Sequence, residues 1–179
     1  TLYEPFDFSE ERNDSSIILD TDIRIKNFLF PIDLYIVDNI VRAYKTRKVK
    51  KNIFNEEDFL TTINYQRLIK AYYEFLSKVI EISKKDILLF DLPYNLLFDG
   101  NKLYAVDTLD YEKRQNPLKK NLNLYHTAIE SAINQDLKLH DIEEVPLTKN
   151  VSIEEFFTTV NTRVETSSDY QYTKKYPYS

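Results

Sequence analysis

Glycine is almost missing from this chain: Gly100 is the single glycine among 179 residues. Loops that wrap a phosphate with backbone N–H groups need glycine for close approach and for positive φ. A Walker loop, a dinucleotide-binding G-x-G-x-x-G loop and a kinase glycine-rich loop are therefore excluded within this sequence. Any nucleotide bound by these residues would be held mainly by side chains.

Other residue types are scarce as well. Without cysteine the chain cannot form a disulfide, a thiolate metal site or a cysteine nucleophile. Its two histidines, His126 and His140, are too few for a His-rich metal cluster, and we interpret the first as a satisfied or exposed helical residue and the second as solvated. No apolar run approaches the roughly 20 residues that span a bilayer. With no signal-peptide pattern either, we predict a cytoplasmic protein without a membrane partner.

Acidic residues outnumber basic ones by 29 to 24, which argues against a nucleic-acid partner. A basic stretch runs from Arg42 to Lys51, but Tyr44 is its only aromatic residue. We interpret it as a solvated strand edge and connecting segment. The hydrophobic fraction of 42% is sufficient for a core, and the length fits one domain with a small appendage.

The chain divides into three parts by composition. Residues 1–27 are predicted to form an acidic arm with one short strand at Ser16–Leu19, and residues 28–166 a folded domain. Residues 167–179 form a tyrosine-rich tail, for which we predict poor order unless it docks.

Two pairs of strands are predicted. The apolar runs Phe28–Val37 and Ile40–Tyr44 flank Asp38 and Asn39, residues that tolerate positive φ in a hairpin. Pro31 restricts the first run to a sheet edge or to a strand that begins after it. Asp99-Gly100 is a strong hairpin signal between Asn95–Phe98 and Lys102–Val106.

Helices fill most of the remaining domain. Apolar residues recur at three- and four-residue spacing from Tyr65 to Ser83, which predicts an amphipathic helix. A short helix is predicted to start at Asn55, and further helices at about Leu122–Asn134 and Ile153–Glu165. The last of these opens with a capping box from Ser152 to Glu155. The predicted class is α+β, mostly helical after residue 55, with two small β-hairpins and a short strand at Ile87–Phe90.

Three polar residues around the second hairpin form a candidate site. Asp91 and Asn95 precede it, and Asp107 ends its second strand. Phosphoryl transfer requires a carboxylate beside the acceptor hydroxyl and oxygen ligands for Mg²⁺, which prefers carboxylate and amide oxygens. The alternative is ordinary turn chemistry, since Asp and Asn commonly bond to their own backbone in loops.

The segment FDLPYNLLFDGNKLYAVD at residues 90–107 resembles the catalytic-loop-to-metal-loop segment of protein kinases and aminoglycoside-phosphotransferase-like enzymes. Those proteins read D-L-x-P-x-N, then an apolar strand ending in Asp, and the following DTLDY is similar to a version in some bacterial kinase-like proteins. The resemblance implies a kinase-like carboxy-terminal lobe with ATP and Mg²⁺ as cofactors. Asp91 would be the catalytic residue, and Asn95 and Asp107 the metal ligands.

The resemblance extends upstream, where FPIDLY at residues 30–35 and IVRAYKT at residues 40–46 are similar to the two strands that lead into the kinase hinge. The hairpin at 28–49 would then be hinge-like, with adenine near Lys45–Val49. The candidate nucleotide-binding residues are Lys45, Thr46 and Arg47.

The sequence also departs from the family pattern. Asp91 and Asn95 are four residues apart, where five are usual, and Thr108-Leu109 stands where Phe-Gly is common. No strand lysine with a helical glutamate partner precedes the hinge. The leading hypothesis is a degenerate kinase-like domain that binds a protein partner and a nucleotide. The alternatives are an ATP- and Mg²⁺-dependent phosphotransferase acting on a protein or small-molecule hydroxyl, and a plain protein-interaction module.

Overall fold

The computed structural model describes residues 4–5, 24–38 and 40–167. The class is α+β, with small antiparallel sheets and with helices over most of the chain after residue 58. No helix in these ranges is both long enough and apolar enough to cross a membrane. The predicted strand Ser16–Leu19 and the tail beyond residue 167 lie outside the described residues.

An antiparallel sheet forms the amino-terminal part of the structure, in the order β1-β3-β2. Its strands are β1 (Glu4–Pro5), β2 (Asp33–Val37) and β3 (Ile40–Lys45). The predicted first hairpin is confirmed, and its first strand begins after Pro31, which lacks a backbone N–H for a ladder. Asp38 turns the chain with a φ of 53°. The pairing of β1 with β3 was not predicted.

Two helices follow the sheet, α1 (Phe59–Thr62) and α2 (Tyr65–Ser83). The bounds of α2 confirm the prediction, and the Asn64 side chain caps the helix by accepting from the N–H of Arg67 at 3.0 Å. The prediction that a helix starts at Asn55 was wrong. Asn55 ends a 3-10 turn that begins at Ile53, because the cap lies three residues earlier, at Asn52.

The chain then forms five short elements around the second hairpin. They are β4 (Ile87–Leu88), α3 (Leu92–Asn95), β5 (Leu96–Phe98), β6 (Leu103–Ala105) and β7 (Glu112–Lys113). The predicted antiparallel hairpin is confirmed by the pairing of Leu96 with Ala105, and Gly100 adopts a φ of 94° in its turn. The one-turn helix α3 and the pairing of β7 with β4 were not predicted.

Helices α4 (Leu118–Leu139) and α5 (Ile153–Thr166) complete the described fold. Helix α4 extends beyond the predicted Leu122–Asn134 at both ends, whereas α5 closely matches its prediction. The predicted capping box is present: the N–H of Glu155 donates to Ser152 Oγ at 3.1 Å, and the N–H of Ser152 donates to Glu155 Oε2 at 2.9 Å.

Helix α2 lies at the centre of the core, in contact with β6, α4 and α5. The fully buried Tyr125 of α4 donates its hydroxyl to the Tyr72 carbonyl at 2.9 Å. The ring of Phe28 packs 5.1 Å from that of Phe75, and Ile25 is buried in the same cluster. The segment just before β2 is therefore part of the packed domain.

Candidate functional site

Asp91 and Asn95 stand at the two ends of the one-turn helix α3. Asp91 precedes the helix with a φ of 46°, is exposed, and makes no capping bond with its side chain. The apolar anchor of the turn is Leu92, which is fully buried. One helical turn therefore separates the candidate catalytic carboxylate from the candidate amide ligand.

Asp107 lies two residues after the end of β6, and the hairpin brings the preceding Val106 into contact with the Asn95 backbone. The N–H of Val106 donates to the Asn95 carbonyl at 2.9 Å, which extends the β5–β6 ladder by one step. Asp107 is the next residue, is exposed, and has a φ of 50°. The structure thus brings the backbones of two predicted metal ligands together, as the hairpin predicts.

Left-handed backbone is widespread in this chain and is not by itself a sign of function. Eight described non-glycine residues have positive φ, and all eight are Asp or Asn. These residue types tolerate this conformation best after glycine. In a chain with one glycine they take over its role in tight turns. The conformations of Asp91 and Asp107 therefore suit ordinary turns as well as a site.

Tyr111 borders the candidate metal residue from inside the core. Its ring packs edge-on against Phe28 and Phe30, with ring centroids 6.1 and 6.0 Å away. Its buried hydroxyl has no hydrogen-bond partner among the described residues. Burial, reinforced by the negative charge of Asp107, raises the pKa of Tyr111 well above its usual range. The Tyr111 side chain therefore remains protonated and uncharged beside Asp107.

The predicted hinge residues follow directly on β3. The carbonyl of Lys45 accepts from the N–H of Ile32 at 2.8 Å, and Arg47 is exposed. The hydroxyl of Thr46 donates to the Leu29 carbonyl at 3.2 Å. Lys45 and Thr46 thus have backbone or side-chain bonds that fix this segment against the chain before β2.

Leu29 links this hinge segment to the strand that precedes Asp107. Its N–H donates to the Ala105 carbonyl at 2.8 Å. Its carbonyl accepts from the hydroxyl of Thr108 at 3.5 Å, in addition to that of Thr46. The nucleotide candidates and Asp107 are therefore connected through one residue.

Asn121 is a residue that the sequence interpretation missed. It is fully buried in α4, and its side-chain oxygen accepts from the N–H of Leu89 at 2.9 Å. Its amide nitrogen donates to the Ser83 hydroxyl and to the Ile87 carbonyl, each at 2.8 Å. Asn121 thereby fixes the end of α2, strand β4 and the chain that leads into Asp91. The feature of the sequence that could have identified Asn121 is its position one turn before Tyr125, on the apolar face of α4.

The two histidines form their side-chain contacts with residues outside the candidate site. His126 Nε2 is 2.9 Å from the Tyr72 hydroxyl, which confirms a satisfied helical histidine, and burial lowers its pKa. His140 was predicted to be solvated, but its Nε2 lies 2.7 Å from Asp58 Oδ1. Both histidines therefore have structural contacts between elements.

The candidate ligands can hold Mg²⁺ only together with further oxygen ligands. It contains two carboxylates, Asp91 and Asp107, and the amide of Asn95, which are the hard oxygen donors that Mg²⁺ prefers. No cluster of three or more His, Cys, Asp or Glu side chains able to hold a metal occurs in the described part of the chain. Mg²⁺ is often bound by one or two carboxylates together with nucleotide phosphates. The residues present fit a metal that arrives with a nucleotide.

No protein-family model, curated protein or solved structure matches this chain. The kinase-like interpretation therefore depends on the motif at residues 90–107 and on the local geometry described above.

Proposed function

We propose that this chain is a degenerate kinase-like domain that binds a metal nucleotide and acts through a protein partner. The observation that carries the proposal is the β5–β6 hairpin, in which the N–H of Val106, the residue before Asp107, donates to the Asn95 carbonyl. Asp91 lies one helical turn before Asn95. The order of these three residues is that of the kinase-like motif, although the spacing from Asp91 to Asn95 is one residue shorter than usual.

The bonds of Leu29 supply independent support. A nucleotide that spans the hinge and the metal residues requires a fixed distance between them. The Leu29 carbonyl accepts from the hydroxyls of Thr46 and Thr108, and the Leu29 N–H donates to the Ala105 carbonyl. Adenine at the Lys45–Arg47 segment and a metal at Asn95 and Asp107 would therefore belong to one rigid site. Within it, the chain's own residues would orient the nucleotide and supply oxygen ligands.

Phosphoryl transfer demands more than these residues provide. The β- and γ-phosphates must be clamped while the acceptor attacks in line. The chain has a single glycine, in the hairpin turn, and no recognisable strand lysine with a glutamate partner. Loss of positioning removes a contribution that can reach roughly 7–11 kcal/mol. We therefore expect binding without transfer from these residues alone.

An active phosphotransferase is the second candidate, and one observation favours it. The Asp91 carboxylate is exposed and makes no helix-capping bond. A carboxylate in this state is accessible to an acceptor hydroxyl, which it would orient and deprotonate.

One assay separates these candidates. The wild type and Asp91→Asn are incubated with γ-labelled ATP and Mn²⁺, and both retained nucleotide and transferred label are measured. We expect retention in both proteins and transfer in neither. Transfer that disappears in Asp91→Asn would establish an enzyme, whereas absence of retention in both would favour a plain interaction module.

Asparagine is the suitable replacement because it tolerates the φ of 46° at this position. Glu112→Gln serves as a control, since Glu112 is an exposed carboxylate on the neighbouring strand β7. Its retention and transfer should equal those of the wild type.

A further inference from the structure

A groove lined by positively charged side chains lies along the segment that precedes β2. Its volume is about 300 Å³, and residues 24–30 form most of its wall. Three cationic side chains line it: Arg24, Lys26 and Arg47. The first two lie on the segment before β2, and Arg47 follows β3. The groove is thus cationic on both of the chain segments that form it.

None of these three cations is neutralised within the groove. No carboxylate is among the described residues that line it. Within residues 24–38 and 40–167, no ion pair involves Arg24, Lys26 or Arg47. The chain as a whole carries a net charge of −5, so this local charge is opposite in sign to the whole. An unpaired set of cations around a concave surface attracts an anionic ligand.

The groove also has apolar walls. Ile25, Phe28 and Phe30 line it from the core side, where they are almost fully buried. Ile32 contributes from the outside and is 42% exposed. Such a surface favours a ligand that carries both negative charge and an apolar group.

We infer that this groove binds an acidic peptide segment of a partner protein, with one apolar side chain against Ile32 and carboxylates on the three cations. Guanidinium groups pair with carboxylates through two parallel hydrogen bonds, which favours this ligand at Arg24 and Arg47. The inference identifies a surface for the protein partner in the proposed function, but it does not depend on nucleotide binding.

Nucleic acid fits the groove less well than a peptide. Single strands need aromatic faces on which bases stack, and the two phenylalanines of the groove are buried in the core. The acidic net charge of the chain also opposes a long polyanion. A short acidic peptide, unlike a long polyanion, can place its negative charges beside the three cations without extending over the rest of the acidic protein.

Fluorescence polarisation tests the inference. The probe is a fluorescein-labelled peptide of about nine residues, composed of Glu and Asp around one Phe, which spans roughly 30 Å when extended. A second probe replaces the acids by Gln and Asn, and a third replaces the Phe by Ser. A single-stranded oligonucleotide of similar length is the nucleic-acid arm. We expect the first probe to bind most tightly and to weaken as salt screens the charges.

The variant Arg24→Ala/Lys26→Ala removes two of the cations and leaves the hinge residue Arg47 unchanged. We expect it to bind the acidic probe roughly two- to thirtyfold more weakly, the range that follows from losing two solvent-exposed ion pairs. The matched control is Lys119→Ala/Lys120→Ala, which removes the same charge from an exposed part of α4. Its affinity should equal that of the wild type.

Three results would overturn the inference. They are equal losses in the two double variants, a wild type that binds the oligonucleotide or the neutral probe as tightly as the acidic one, and absence of saturable binding of the acidic probe. Nucleotide retention by Arg24→Ala/Lys26→Ala should be unchanged, because neither residue belongs to the proposed nucleotide site. Failure of the peptide groove is therefore distinguishable from failure of the kinase-like proposal.

Discussion

Asn121 connects three parts of the chain that meet just before the candidate site. Its side chain bonds to Ser83 at the end of α2, to Ile87 in β4 and to Leu89. All these bonds are buried, so the groups that lose a partner when the amide is removed do not face bulk solvent. A buried donor or acceptor left without a partner costs about 1–3 kcal/mol.

Asn121→Ala should therefore destabilise the protein by about 2–4 kcal/mol, because it leaves the Leu89 N–H and the Ile87 carbonyl unpaired and opens a small cavity. Urea unfolding followed by far-ultraviolet circular dichroism measures this change in a chain without tryptophan. Asn123→Ala is the matched control, since Asn123 is exposed on the same helix and should change stability by less than about 0.5 kcal/mol. Equal stability of the two variants would show that the buried network contributes little.

Individual polar residues were predictable only where their neighbours form a recognisable pattern. Asp91, Asn95 and Asp107 were selected because they surround an Asp-Gly hairpin, and the hairpin is present. Asn121 lies on an apolar helix face with no motif around it, and its partners are separated from it by at least 32 residues. Long-range pairing of this kind depends on the tertiary packing of α4 against α2, which local sequence does not encode.

At the level of elements, the hairpin turn is the feature that the candidate site depends on most. Gly100 has a φ of 94°, and a Cβ added there would meet only the Ile53 side chain, at an ordinary contact distance of 3.8 Å. The Asp99 side chain accepts from the N–H groups of Asn101 and Lys102 at 2.8 and 2.7 Å. The turn therefore depends on the left-handed conformation of Gly100 and on the two bonds to the Asp99 side chain. No atom of the described residues crowds the Gly100 position.

Gly100→Ala should destabilise the protein by about 1–2 kcal/mol through backbone strain alone, because space for the methyl group exists. Gly100→Asn should cost less, since Asn tolerates positive φ better. Thermal unfolding of both variants beside Asn101→Ala, at the exposed next position, measures the difference. If alanine proves as stable as glycine, the left-handed turn is not required for the hairpin.

Long elements were predicted well, and short ones only where a turn signal or an apolar run marks them. Helix α2 spans Tyr65–Ser83 as predicted, because 19 residues carry more than five turns of apolar periodicity. The two-residue strand β7 and the four-residue helix α3 contain too few residues to show any period, whereas β4 lies within the strand predicted at Ile87–Phe90. Their conformation is determined by neighbours, such as the bond from the Arg114 N–H to the Asp86 carbonyl at 2.7 Å.

At the scale of the whole molecule, the segment before β2 connects the sheet to the helical part. Phe28 packs on Phe75 of α2 and bridges to Ala105, while Leu29 bonds to Thr46 beyond β3. The α+β class followed from the patterns in the sequence. This connection did not, because residues 24–29 lack a regular period and their role arises from contacts with β6 and α2.

The proposed function requires Asp107 to hold a metal that arrives with a nucleotide. The most direct test is the thermal shift of the wild type, Asp107→Asn and Glu112→Gln with ATP, in the presence and absence of Mg²⁺. Asparagine keeps the φ of 50° accessible while it removes the charge. A ligand at tenfold its Kd adds about 1.4 kcal/mol, or roughly 3–6 °C. We predict a Mg²⁺-dependent shift of this size in the wild type and Glu112→Gln that is absent from Asp107→Asn. An equal Mg²⁺-dependent shift in Asp107→Asn, or none in the wild type, would contradict the account.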